Sequence, residues 1–308
     1  MKIYIVGSGG VGGYLGGLLA IAGNDVTFLA RGQHYQAIKE NGLQINAVKG
    51  DFLVKPAKVI SSSSEITNPD LVIFTVKTYD TESTAIELSK VVNENTAIIT
   101  FQNGVENDLK IKQFIKVGKI FPGVAYLIST KVGPGTIEQI GGPGGIGKFV
   151  IGDRNGSFGD LLGNITMVMK NAGIDASVSE DITQDVWKKF VFISAFSGMT
   201  AFYGKPIGGI VNDARLKDEY ENCVKETIAV AKSLKVNLPE DTFETTMSTT
   251  IKTNPASKSS LLVDVEKGGK NEIETLNGKV VRYAKQQNIQ VPINEKIYEK
   301  IKNKLNDL

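Results

Sequence analysis

The chain has 308 residues, with 35 lysines and arginines against 33 aspartates and glutamates, for a formal charge of +2. That near-balance argues against a nucleic-acid or membrane-surface partner, and the length suits two domains better than one core. A single cysteine, Cys223, excludes an internal disulfide, and a single histidine, His34, argues against multi-histidine zinc sites and serine–histidine triads.

In chain order, KIYIVG, DVTFLAR, LVIFTVK and NTAIITF read as strands, nearly continuous apolar runs of the kind buried on both faces. The region around GVAYLI, then GTIEQIG and KFVIGD, extends the series. Helical stretches fall between the strands, one after Gly12 and another at TESTAIELSKVV. This is the rhythm of a doubly wound, mostly parallel sheet. The glycine-dense GPGTIEQIGGPGGIGKFVIGD reads as a late hairpin-like excursion.

From about Ile182 the period changes. DVWKKFVFISAFSGMTAF is apolar nearly all round, as a buried helix should be. ARLKDEYENCVKETIAVAKSL places Leu216, Tyr220, Cys223, Val224, Thr227 and Ala231 on one face, and VPINEKIYEKIKNKL repeats Ile297, Ile301 and Leu305 at helical spacing. No strand is evident here. The expectation is an α/β domain over 1–178 and an all-α domain over 179–308, joined near 175–181. No apolar run is long enough to span a bilayer, and the N-terminus lacks the regions of a secretion signal, so a soluble cytoplasmic protein is expected.

After the first strand comes Gly7-Ser8-Gly9-Gly10-Val11-Gly12, a G-x-G-x-x-G that opens a helix. The first glycine permits a tight turn, the second lets backbone approach a pyrophosphate, and the third allows close helix–strand packing. The helix N-terminus then offers N–H groups and partial positive charge to phosphates. In that setting the motif predicts a Rossmann-type dinucleotide domain. The second strand ends in Arg31 rather than an acid. A guanidinium can pair with a 2′-phosphate and stack on adenine, so the cofactor expected is NADP. His34 nearby reads as a bystander rather than a catalyst.

Taken together, these features resemble the ketopantoate reductase (2-dehydropantoate 2-reductase) family. The resemblance runs nearly the whole chain, through the glycine loop with Arg31, VKTYDT, FQNGVEN, WKKF and SSLLVDVEKGGKNEIETLNG. It implies a Rossmann domain followed by a helical domain, with the site in a cleft between them. It also implies NADPH-dependent reduction of ketopantoate to pantoate in pantothenate synthesis. The partner is then a small 2-keto acid, and a homodimer is compatible with it.

Such a reduction needs a hydride, a proton donor and a grip on the carboxylate. The cofactor supplies the hydride. With no suitable histidine the acid is a lysine, and Lys188 and Lys189 both head the apolar helix, where desolvation lowers an ammonium pKa. Helical spacing does not choose between them; the resemblance places the catalytic lysine at Lys189. It likewise implies that Glu272 contacts substrate hydroxyls, Ser260 the carboxylate, and Lys77 the adenosine 2′-phosphate. Asn103 would bridge the nicotinamide ribose and substrate, and both Asn103 and Glu272 count among the cofactor contacts. On their own chemistry, SKSS also reads as a helix cap and Asn103-Gly104 as a turn.

The chain departs from the family pattern at two positions. Pantoate-making relatives carry asparagines four and eight residues beyond the lysine, where this chain has Ile193 and Ser197. Losing amide partners removes substrate hydrogen bonds and makes the wall more apolar. The alternative is therefore a related D-2-hydroxyacid dehydrogenase for another branched or aromatic 2-keto acid. A non-catalytic NADP sensor is the rival of another class, and the joint presence of Lys189, Glu272, Ser260 and Asn103 argues against it.

Overall fold

In the first strand Ile3 and Ile5 join the core on one face, while Tyr4 and Val6 join the core on the other. That alternation, repeated in its neighbours, builds a sheet buried on both sides. The computed structural model describes residues 1–306, with side chains to residue 303. The chain begins β1 (Lys2–Val6), α1 (Gly10–Ile21), β2 (Asp25–Leu29), α2 (Gly32–Asn41), β3 (Leu43–Ala47), β4 (Phe52–Val54), β5 (Lys58–Ile60) and β6 (Leu71–Phe74). It continues α3 (Thr81–Leu88), β7 (Ala97–Thr100), α4 (Asn107–Phe114), β8 (Lys119–Tyr126), β9 (Ile128–Gly133) and β10 (Thr136–Gly141). Next come β11 (Lys148–Ile151), α5 (Gly159–Asn171) and β12 (Asp175–Val178).

Eight strands form one sheet in the order β12-β11-β8-β7-β6-β1-β2-β5, parallel except where β11 meets β8. Phe28, Ile99 and Phe121 fill one face, and Phe74, Leu88 and Ile111 the other. Each such burial contributes roughly 1.5–3 kcal/mol. The mostly parallel sheet flanked by helices is the α/β architecture expected, with a helical part after it.

The expected excursion at 133–153 is different in kind. Its strands divide between two sheets: β11 returns to the large one, while β10 joins a four-stranded sheet in the order β4-β3-β10-β9. The hairpin turn falls earlier, at Gly133-Pro134-Gly135, between β9 and β10. This second sheet packs on α1. A methyl added at Gly13 would lie 2.7 Å from Ile137, and one at Gly17 would lie 3.2 Å from Ile45 and Phe52. On its other side α1 meets the large sheet, where a methyl at Gly16 would fall 2.6 Å from Ile5 and 2.7 Å from Phe28.

By contacts the chain divides into two units, Met1–Gln102 with Glu106–Ile182, and Asn103–Val105 with the chain from Thr183 onward. The second is helical, from α6 (Ile182–Tyr203) through α7 (Gly208–Val211), α8 (Ala214–Ser233), α9 (Thr242–Lys252), α10 (Ser260–Glu266), α11 (Asn277–Gln286) and α12 (Pro292–Asn306). The buried stripe of α8 includes Leu216, Tyr220, Cys223, Val224, Thr227 and Ala231, the face its periodicity predicts. In α12, Ile297 and Ile301 are buried; the Leu305 side chain lies outside the described residues. Glu226 of α8 accepts the Ile293 and Asn294 amides at 2.9 and 3.0 Å, capping α12 from a neighbouring helix. Among the described residues no helix is long and apolar enough to cross a membrane.

One ion pair in the first unit is buried. Arg154 grips Asp108 of α4 with two bonds, at 2.8 and 2.9 Å, and Asp108 is 1% exposed. Removing one partner of such a pair strands the other charge. Asp108→Ala is expected to cost about 3–5 kcal/mol, and the double change Asp108→Ala with Arg154→Met distinctly less. Thermal unfolding of the three proteins checks the order.

Candidate active site

The carboxyl ends of β1, β2 and β6 lie side by side, because β1 pairs in parallel with both neighbours. The chain order reverses at β1, and doubly wound sheets bind ligands where that happens. The glycine loop sits there. Gly7 has φ +106°, open only to glycine at low cost, and a methyl on it would lie 2.5 Å from the Thr75 backbone. Gly12 packs against the Gly7 carbonyl, the Thr75 hydroxyl and Ile5. Gly9 differs from both: a methyl there would meet no atom within 4 Å. Its φ is −79°, so neither packing nor backbone requires a glycine. What remains is room for something to approach the backbone. No side chain caps the N-terminus of α1, so its first amides face that room. These residues fit a dinucleotide pyrophosphate.

Around the loop, Ser8 donates its hydroxyl to the Leu29 carbonyl at 2.8 Å, tying the turn to β2. Gly10 presses on the Ser129 backbone, and the Ser129 hydroxyl donates to the Gly10 carbonyl at 3.0 Å. Val11 packs, partly buried, against the adjoining core. Arg31 precedes α2 and is exposed, its guanidinium 3.1 Å from Glu87 of α3. Glu87 also accepts the Ser63 hydroxyl at 2.8 Å. Lys77 follows β6 at the same sheet edge, half-buried.

His34 has a structural role. It is buried, its Nδ1 accepts the Gly135 amide at 2.9 Å, and the ring proton on Nε2 is therefore donated to the Ser8 carbonyl at 2.7 Å. Burial holds its pKa below the ordinary value. A neutral imidazole thus bolts the β9–β10 turn to the glycine loop.

In the helical unit, α6 separates the two lysines that spacing leaves equivalent. Lys188 pairs with Asp185 one turn back, at 2.7 Å. Lys189 is desolvated, which lowers its pKa from 10.5 to about 8 against the opposing pull of Glu272. Glu272 is 8% exposed and lies in the turn before α11, where its carbonyl accepts the Thr275 and Leu276 amides at 3.1 and 3.2 Å. The next residues lock that turn on α6. Asn277 is fully buried, and a methyl at Gly198 would lie 2.6 Å from its amide nitrogen. Asn277 Nδ2 in turn donates to Asn294 of α12 at 2.9 Å.

The cap of α10 is Ser259, not Ser260. Ser259 accepts the Leu262 amide at 3.0 Å and bonds the Thr200 hydroxyl of α6 at 2.7 Å. Ser260 is the first helical residue and is exposed, so its hydroxyl has no capping duty. Asn103 groups with the helical unit although a strand of the first unit leads to it. Along α6, Ile193 keeps partial exposure beside the Phe192–Phe196 pair, stacked at 5.4 Å, while Ser197 is 1% exposed. Lys189, Glu272 and the Ile193 wall thus share one unit, while Arg31, Lys77 and the glycine loop share the other. Glu87 carries no motif; only the pairing order of the sheet brings α3 to Arg31.

Open space over an uncapped helix start, with a desolvated lysine under the influence of a buried carboxylate in a separate helical unit, suits a dinucleotide-dependent oxidoreductase. Comparison with known proteins narrows the class. Residues 3–156 match ketopantoate reductase PanE/ApbA, and residues 181–305 match ketopantoate reductase PanE/ApbA C terminal. The chain belongs to the ketopantoate reductase family. It is 32% identical to a 2-dehydropantoate 2-reductase of Pyrococcus abyssi (strain GE5 / Orsay), over 99% of this chain and 98% of that one. It is 28% identical to the uncharacterized oxidoreductase YkpB of Bacillus subtilis (strain 168), over 97% of each. The crystal structure of a PanE/ApbA family ketopantoate reductase from Ralstonia eutropha JMP134 superposes with TM-score 0.91 at 30% identity, covering 100% of this chain and 99% of that one. The protein is an oxidoreductase, and oxidoreductases of this family work with a nicotinamide cofactor.

The Lys189–Glu272 pair can be read without turnover. In an NMR titration of isotopically methylated lysines, the Lys189 signal is expected to titrate near 8 rather than 10.5. Because the Glu272 charge raises that value, Glu272→Gln should move the midpoint further down.

Proposed function

We propose that this protein reduces 2-dehydropantoate to D-pantoate with NADPH, in the cytoplasm, as a step of pantothenate biosynthesis. The observation that carries this reading is Lys189, an ammonium brought to about 8 by burial beside the carboxylate of Glu272. Such a group is mostly protonated at neutral pH and gives up its proton far more readily than an exposed lysine. When bound, NADPH supplies the hydride to the keto carbon. Lys189 donates the proton to the carbonyl oxygen and regains one from water, and Glu272 favours the recharged form. The exposed Ser260 hydroxyl holds the substrate carboxylate, and Glu272 also accepts from the substrate hydroxyl. Asn103 bridges substrate and nicotinamide ribose. Arg31 and Lys77 favour NADPH by pairing with its 2′-phosphate.

A second reading keeps this machinery and changes the substrate. Where pantoate-making relatives place two amides, this chain has Ile193 and a buried Ser197, next to stacked Phe192 and Phe196. That wall favours a branched or aromatic 2-keto acid without a terminal hydroxyl, the substrate of a D-2-hydroxyacid dehydrogenase.

NADPH absorbance followed with ketopantoate, 2-ketoisovalerate, 2-ketoisocaproate and phenylglyoxylate separates the two readings, and repeating the set with NADH tests the cofactor. Fast NADPH-dependent turnover of ketopantoate is the expected outcome; preference for a substrate lacking the hydroxyl selects the second reading. In either case Lys189→Ala should lower kcat about 10²–10⁴-fold. The reduction rate should fall as pH rises through about 8, because the acid is the protonated lysine. Unchanged turnover in Lys189→Ala would overturn both readings.

A further inference from the structure

Beside the first turn of α2 lies a cavity of about 350 Å³ lined by Arg31, Gln33, His34 and Lys131, with the β9–β10 turn as its rim. It is built onto the glycine loop. The hairpin is fastened there twice, by the Ser129 hydroxyl on the Gly10 carbonyl and by His34 between Gly135 and Ser8. Lys131 is two residues along β9 from Ser129, on the same face of the strand. It stands opposite Ile137, whose side chain packs on Gly13 of α1. Lys131 therefore belongs to the face of the small sheet that meets α1.

Charge tells the cations of this cavity apart. Arg31 is matched by Glu87 at 3.1 Å, and His34 is neutral with both ring nitrogens engaged. Lys131 is exposed and forms no ion pair among the described residues. A phosphate monoester carries close to two negative charges at neutral pH. With the Arg31 charge already matched by Glu87, Lys77 answers about one of those charges and leaves the rest for a further cation.

We propose that Lys131 supplies a further cation to the adenosine 2′-phosphate of the cofactor, making the four-stranded sheet part of the discrimination between NADPH and NADH. This rests on the reading of Arg31 as a 2′-phosphate ligand. In the complex Lys131 closes the cavity from the hairpin side, and Arg31 divides its donors between Glu87 and the phosphate. Glu87 competes with the ligand for Arg31, so its charge sets how tightly the phosphate is held.

Calorimetric titration with 2′,5′-ADP and with 5′-AMP tests this without any turnover, on the intact chain. Lys131→Gln is expected to weaken 2′,5′-ADP about tenfold, the worth of one charge-assisted hydrogen bond, and to leave 5′-AMP within about twofold. Lys131→Arg should restore most of the loss, and Glu87→Gln should tighten 2′,5′-ADP. If Arg31→Ala weakens 2′,5′-ADP selectively while Lys131→Gln does not, the role of Lys131 is overturned and the NADP reading stands. If Lys131→Gln weakens both ligands equally, the residue supports the loop rather than the phosphate, and the proposal fails. If the unaltered protein binds both fragments alike, the NADP reading itself falls and takes the proposal with it.

Discussion

Helix α1 is squeezed from both sides, with Gly12 and Gly16 against the large sheet and Gly13 and Gly17 against the small one. In an isolated helix each glycine would cost roughly 1 kcal/mol relative to alanine. Here a single methyl at Gly16 would collide with Ile5 and Phe28, so the cost of glycine is less than the cost of any side chain. The rest of the first unit follows from that close approach. It sets the height at which the small sheet rests, and so the distance at which Ser129 and His34 reach the glycine loop. The loop is therefore held by tertiary bonds from a second sheet as well as by its own turn.

The helical unit depends on a different balance. Withdrawing Lys189 from water destabilises the folded state by an amount on the order of 3 kcal/mol while its charge is retained. The folded pKa lies below the unfolded one, so this penalty is complete below about pH 8 and fades as pH rises toward 10.5. That figure is already net of the Glu272 attraction, which opposes the desolvation. A few residues further on, Asn277 packs against Gly198 of α6. A packed core elsewhere in the unit, with Trp187 set edge-on to Phe190, absorbs the penalty.

The main sheet was legible because β1, β6 and β7 are unbroken apolar runs, a pattern that only two-sided burial explains. The stripe of α8 was legible for the complementary reason, a clean period of about 3.6. The short β4 and β5, three residues each, were not, since so few residues carry no period and their pairing partners are distant in sequence. The same holds for the small sheet, whose β3 pairs with β10 across some ninety residues. In the site, the glycine loop is a local motif and could be read directly. The different surroundings of Lys188 and Lys189 could not, because they depend on Asp185 and Glu272, one a helical neighbour and the other far along the chain. The capping role fell to Ser259 rather than Ser260 because the buried Thr200 hydroxyl, invisible in SKSS, fixes which serine turns inward.

The excursion of Asn103–Val105 into the helical unit means that the polypeptide passes between units three times, at 102/103, 105/106 and 182/183. A gene fusion or recombination event joining one relative's first 182 residues to another's helices would carry the donor's Asn103 into a foreign setting. The two halves are therefore not interchangeable cassettes. Exchange between homologues would have to move these three residues together with the helical piece to keep each unit whole.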